Sequence, residues 1–173
     1  YLRKLQLNDF EPAVNLATLT KLQDAHLKYI PYENFDSLNG KITSLKRQDM
    51  FNKVIMHNRG GICFELNGLY NWLLESLGFE VTSYAARFID KMETYQLRRH
   101  RVMCVALGEK RYLTDVGVNS ESPRVPLEIT EGLIQSDGIS QYKFTRSEFW
   151  GWLLWQKERG KIWKRLFGFT EEP

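Results

Sequence analysis

The sequence predicts an α+β fold in which an N-terminal helical lobe is followed by an antiparallel β-barrel or sheet. Three observations predict it. Apolar residues recur at helical spacing as far as Gly78, short β-branched and aromatic runs dominate after it, and no repeat or Gly/Ser- or Pro-rich linker divides the chain. The expected organisation is a helical domain over 1–78 and a β-rich domain over 79–173. At 173 residues these are two small units sharing a core, or one ordinary domain.

The elements follow in order. From Leu19 to Ile30, Leu19, Leu22, Leu27 and Ile30 share a helical face, with Thr18 available as N-cap and Pro31 as a stop. Ser44 is placed to cap a second helix with apolar Leu45, Met50, Val54 and Ile55. A third helix runs from about Cys63 to Leu77, with Phe64, Leu66, Leu69, Tyr70, Leu73, Leu74 and Leu77 on a wide apolar face and Gly78 as its C-terminal stop. Strands are expected at Phe79–Ile89, Arg101–Leu107 and Arg111–Val118, the last two joined as a hairpin through Gly108-Glu109-Lys110. Tyr142–Thr145 and Phe149–Gln156 read as further strands.

Composition excludes several classes of function. The chain is 43% hydrophobic and 26% charged, enough to bury a core, and its longest apolar runs fall far short of the ~20 residues that span a bilayer. The net charge of +3 and pI near 8.8 are too mild for a nucleic-acid protein but suit an anionic small-molecule ligand. Two cysteines, Cys63 and Cys104, make no disulfide framework, and no signal peptide precedes them. A reducing cytoplasm is the expected home. Two separated cysteines and three scattered histidines offer no zinc spacing, so no metal is expected.

The chemistry concentrates in Arg59-Gly60-Gly61-Ile62-Cys63-Phe64-Glu65-Leu66-Asn67. The glycines let the backbone turn tightly before a cysteine that opens a helix, where the macrodipole and unpaired N–H groups favour a thiolate. The competing reading is an inert cysteine packed as a small hydrophobe, and that reading holds for Cys104 in its apolar strand. A nucleophilic cysteine needs a base. His26 lies mid-helix, His57 in a turn before Cys63, and His100 at the start of a hairpin strand. Asp115 is a carboxylate amid apolar strand residues and requires a partner. A two-residue turn at Gly108-Glu109 sets paired numbers to sum to 217, which puts His100 and Asp115 diagonally on one face, about 7–8 Å apart. A three-residue turn would put them on opposite faces, so spacing leaves the pair open.

These residues resemble the arylamine N-acetyltransferase family. RGGICFELN is similar to its Arg-Gly-Gly-x-Cys-x-Glu-x-Asn signature, and Pro31-Tyr32-Glu33-Asn34-Phe35-Asp36 to its Pro-Phe-Glu-Asn-Leu segment. His100 and Tyr112-Leu113-Thr114-Asp115-Val116-Gly117 fall where the family places its base and acid, and the similarity runs through PLEI to FGFTEEP. The resemblance implies a papain-like Cys63–His100–Asp115 triad, with Tyr32, Phe88 and Val118 at substrate-lining positions and Glu33 and Arg59 as a structural ion pair.

It also implies acetyl transfer from acetyl-CoA, as co-substrate rather than resident cofactor, to arylamines, arylhydrazines and N-hydroxyarylamines, a chemistry of xenobiotic metabolism. Two departures are visible. Val118-Asn119 stands where the family has Phe-Gly, and the sequence stops where the family's third, lid-forming domain is expected, so that domain is expected to be absent. Aromatic residues in 142–156 and 163–169 would then be left exposed and available for self-association. A Cys-His-Asp hydrolase or transglutaminase-like enzyme, and a truncated homologue without turnover, are the alternative functions.

Overall fold

The structure is a computed structural model that describes residues 1–89, 97–118 and 121–172. Among these described residues four α-helices precede eight strands: α1 (Leu16–Tyr29), α2 (Phe35–Leu38), α3 (Arg47–Phe51) and α4 (Cys63–Ser76), then β1 (Glu80–Phe88), β2 (His100–Leu107), β3 (Lys110–Thr114), β4 (Leu127–Glu128), β5 (Gln135–Ser136), β6 (Ser140–Ser147), β7 (Gly151–Glu158) and β8 (Lys164–Phe169). The α+β class and the antiparallel β-barrel or sheet are as the sequence predicts. All the pairings between these strands are antiparallel, in the order β4-β3-β2-β1-β8-β7-β6-β5.

The helix boundaries shift from those predicted for definable reasons. The α1 helix starts three residues earlier than expected, because Asn15 and not Thr18 is its N-cap, its Oδ1 accepting from Thr18 N–H at 2.8 Å. Ser44 does not cap α3; from the segment before the helix its hydroxyl donates to Asp49 in the first turn. The second predicted helix is split, with α3 running into a π turn over Asn52–Met56. The α4 helix ends as predicted. Gly78 has φ +89°, and the Gly78 and Phe79 N–H groups close back on the Glu75 and Leu74 carbonyls in a Schellman motif.

The sheet is buried on both faces in β2 and β3. Met103, Val105 and Tyr112 face the helices and pack with Leu66, Leu69 and Leu74 of α4, while Val102, Cys104 and Leu113 face the barrel interior with Leu127, Tyr142, Phe144 and Phe167. This two-sided burial is why Arg101–Leu107 is a nearly continuous apolar run instead of an alternating one. Each fully buried leucine here contributes about 1.5–3 kcal/mol relative to exposure.

The barrel nearly closes. Between the end strands β4 and β5, the Gln135 side chain acts as a substitute peptide group, its Oε1 accepting from Glu128 N–H at 2.7 Å and its Nε2 donating to Glu128 O at 2.9 Å. Strands β4, β5 and β8 carry no predicted counterpart. Most aromatic side chains in 142–156 and 163–169 turn inward, including Tyr142, Phe144, Trp150, Trp152, Phe167 and Phe169, while Phe149 remains exposed.

Candidate active site

Cys63 is the first residue of α4, with Ile62 as N-cap, and it is only 8% exposed. The two glycines before it serve close approach. Neither adopts positive φ. A Cβ on Gly60 would lie 2.0 Å from the Pro31 carbonyl oxygen, and one on Gly61 would lie 3.0 Å from the Glu65 side chain. The segment thus threads between Pro31 and the Glu65 carboxylate. Tyr32 bridges to Gly61, Glu33 N–H donates to Gly61 O at 3.0 Å, and Glu65 Oε2 accepts from Ile62 N–H at 2.9 Å. That last bond satisfies the N-terminal side of the helix start.

His100 and Asp115 meet, both fully buried, with His100 Nε2 2.6 Å from Asp115 Oδ2. The hairpin has the register that the two-residue turn predicts, Leu107 opposite Lys110 and Met103 opposite Thr114, with positive φ at Gly108. The predicted strand Arg111–Val118 ends early, however, at Thr114. Its continuation would pair Arg101 with Val116, and the Asn67 side chain stands between them. Asn67 Oδ1 accepts from Val116 N–H at 2.9 Å, and Nδ2 donates to the Arg101 carbonyl and to Asp115 Oδ1, the latter at 2.8 Å. One amide from α4 replaces the ladder bonds, opens the hairpin and fixes the carboxylate. Gly117 N–H also donates to Asp115 Oδ1 at 2.8 Å, so this buried carboxylate is fully partnered.

Electrostatics follow from this packing. Burial pushes His100 down, but the charge and hydrogen bond of Asp115, followed by the interaction with Cys63, outweigh it and raise the imidazole to about 9. Because Nε2 serves Asp115, the nitrogen left to serve Cys63 is Nδ1, which is buried and has no other hydrogen-bond partner. The Cys63 thiol itself donates to Arg99 O at 3.6 Å. Such an arrangement can hold an imidazolium beside a thiolate and accept or return one proton.

The remaining candidates fall in three places. The Phe88 ring lies 5.1 Å from that of His100, tilted by 38°, and burial followed by the nearby Cys63 raises the Tyr32 phenol; the two flank His100 and Cys63. Val118 is instead buried with the barrel core, its N–H donating to Ser122 Oγ, and Asn119 lies outside the described residues. Glu33 and Arg59 are paired at 2.7 Å.

Of the other histidines, His57 ends the π turn, and His26 is buried between Tyr1 and Tyr70, its Nδ1 2.9 Å from the Tyr1 hydroxyl. Cys104 is a barrel-core residue whose thiol burial pushes up to about 11. Among the described residues, no group of three or more His, Cys, Asp or Glu side chains is arranged to hold a metal ion.

Residue-level reading missed Asn67, Lys53 and Phe167. Asn67 carried a usable signal, a polar side chain one turn after Cys63 on an apolar helix. Phe167, whose ring lies 5.2 Å from that of His100, comes from a strand that was not predicted.

Comparison with known proteins agrees with the fold. The N-acetyltransferase family pattern matches residues 15–173. An arylamine N-acetyltransferase of Mycolicibacterium smegmatis is 35% identical over the whole chain, and one of Escherichia coli is 32% identical over 91% of it. The chain spans 64% and 56% of those two proteins, less than two thirds of their length. A crystal structure of the M. smegmatis protein superposes with a TM-score of 0.93, covering 100% of this chain and 64% of that one at 34% identity. A Mycobacterium marinum arylamine N-acetyltransferase in complex with CoA superposes at 0.89 with 28% identity, covering 99% of this chain and 64% of that one.

Proposed function

Because this chain belongs to the arylamine N-acetyltransferase family, we propose that it transfers acetyl from acetyl-CoA to arylamine-type nitrogen through an acetyl-Cys63 intermediate. The observation that carries the reading is the buried line of Cys63, His100 and Asp115, with Asp115 on one ring nitrogen and the other free for the thiol. The CoA complex of the M. marinum relative supports the choice of donor.

In the first half-reaction Cys63 gives its proton to His100, and its sulfur attacks the thioester carbonyl carbon. The carbon–sulfur bond to coenzyme A breaks, and the departing thiolate takes the proton back from His100. Backbone N–H groups at the start of α4 are placed to stabilise the oxyanion. One thioester replaces another, so the step is nearly isoenergetic. In the second half-reaction the amine nitrogen attacks acetyl-Cys63, His100 takes the amine proton, and the Cys63 thiol is restored. Arylhydrazine nitrogen and N-hydroxyarylamine oxygen are acceptors of the same class. Tyr32 and Phe88 flank the acceptor, with Asp115 orienting the imidazole and stabilising its protonated form.

The test is incubation with acetyl-CoA alone, followed by mass analysis of the Cys63 peptide. One acetyl group on Cys63, discharged by added arylamine, is expected, and Asp115→Asn should depress acylation by orders of magnitude. An adduct on Cys104, or an Asp115→Asn rate within about threefold of the parent, would overturn the assignment. An adduct lost to water without an amine would mean a hydrolase.

A further inference from the structure

The first turn of α4 rests on a partly buried group of charges larger than the Glu33–Arg59 pair. Lys53 lies within it at 16% side-chain exposure, its Nζ 2.8 Å from Glu65 Oε1 and 2.9 Å from Asp36 Oδ2, with Glu33 Oε1 at 3.9 Å. Arg59 meets the same Glu33 oxygen at 2.7 Å and the other oxygen of Asp36, Oδ1, at 3.1 Å. Three carboxylates thus gather around Lys53 and Arg59, with the exposed Lys41 3.9 Å from Asp36, and among these cations Lys53 joins Glu65 of α4 to Asp36 and Glu33 of the segment that carries Tyr32. Burial opposes the Lys53 charge, but its hydrogen bonds to Glu65 and Asp36 prevail and raise it, so the ammonium persists at neutral pH.

Glu65 is the residue that makes this consequential. It is 3% exposed, it occupies the third helical position after the Ile62 cap, and its Oε2 holds the N–H of the residue before Cys63. Lys53 grips the same carboxylate through Oε1 and, more loosely, Oε2 at 3.1 Å. The π turn over Asn52–Met56 places Lys53 in this position, with Val54 buried beside it. Without the ammonium, the buried Glu65 carboxylate would lose the cation held against it while Asp36 keeps Arg59, an unfavourable state from which the Glu65 side chain withdraws.

We propose that Lys53 is a positioning residue for Cys63: by holding the Glu65 carboxylate against the Ile62 N–H, it fixes the helix start on which the thiol sits facing His100. This rests on the reading of Cys63 as the nucleophile and deepens it by one layer.

The experiment measures the rate and pH profile of Cys63 alkylation by iodoacetamide in the parent, Lys53→Met and Lys53→Arg, with far-UV circular dichroism and Cys104 protection as checks of the fold. Lys53→Met should slow Cys63 labelling about ten- to a hundredfold, the range expected when a reacting group moves by about an ångström. It should also move the pH profile, while Lys53→Arg retains most of the rate. Parent-like labelling and pH profile in Lys53→Met overturn the proposal, as does a loss no larger than its unfolded fraction. Should Lys53→Met fail to fold, Glu65→Gln keeps an acceptor for Ile62 N–H and removes the ion pair. It should be slowed with a shifted profile, and a parent-like result overturns the proposal. Iodoacetamide requires no acetyl donor, so a failure of acetyl transfer is distinguishable from a failure of this inference.

Discussion

Replacing Gly117 with alanine isolates how tightly the carboxylate-bearing segment passes over the thiol. A Cβ there would lie 2.8 Å from Cys63 Cα, 2.9 Å from Asn67 Nδ2 and 3.0 Å from Cys63 Cβ. Carbon atoms in contact prefer about 3.5–4.0 Å, so the two segments must part by about 1 Å. Asn67 is fully buried on α4 and tied to both Arg101 and Val116, so the helix does not give readily. The chain at 115–117 moves instead and carries Asp115 with it. A 2.6 Å bond to His100 lengthened by about 1 Å is no longer a hydrogen bond.

His100 then loses much of what raises its pKa, and the imidazolium beside Cys63 is disfavoured. Alkylation of Cys63 by iodoacetamide at pH 7 should fall about a hundredfold, with about 1–3 kcal/mol of overpacking visible in urea denaturation. The assay is pseudo-first-order labelling read by mass spectrometry at a temperature where the variant is folded. A labelling rate within about threefold of the parent would refute the reasoning.

In the parent, iodoacetamide should label Cys63 well before Cys104, whose thiol is held at about 11 inside the barrel; preferential labelling of Cys104 would reverse the assignment. His26 is held at about 3 by burial, against an ordinary 6.5, so the unfolded chain binds a proton that the native state refuses as pH falls below about 6.5. Its share of stability should fall by about 1.4 kcal/mol per pH unit in that window, and His26→Gln should flatten the urea-derived slope. Parallel slopes would contradict this. His100, being raised, contributes fully below about 6.5 and loses its contribution as pH rises through about 9, so it does not confound the measurement. Gln135→Ala should open the barrel seam and cost about 1–3 kcal/mol, with faster hydrogen exchange at the Glu128 amide; unchanged exchange would show that the seam closes without it.

What the sequence by itself determined is what depends on neighbours along the chain. The start of α4 at Cys63 and its end before Gly78 follow from local backbone chemistry, and both stand in the structure. The hairpin register is the one a two-residue turn gives, and its parity is consistent with His100 and Asp115 on one face, although a three-residue turn would have separated them. The ordered motifs around Cys63, His100 and Asp115 identified the family for the same reason, since each is a short contiguous run.

Tertiary structure decided whatever depends on a partner distant in the chain. Periodicity marks Asn67 as a polar residue on an apolar helix but cannot say that its amide will stand where Arg101 and Val116 would otherwise pair. Nor can it place Lys53 against Glu65, bring Phe167 to His100, or put Val118 into the barrel core. Two-residue strands such as β4 and β5 carry no period at all, and their seam depends on one glutamine side chain whose partners lie across a turn. The double glycine shows the division most clearly. Its presence before Cys63 was legible, but its purpose, to let Pro31 and the Glu65 carboxylate close in from either side, is a matter of packing density that exists only once the chain is folded.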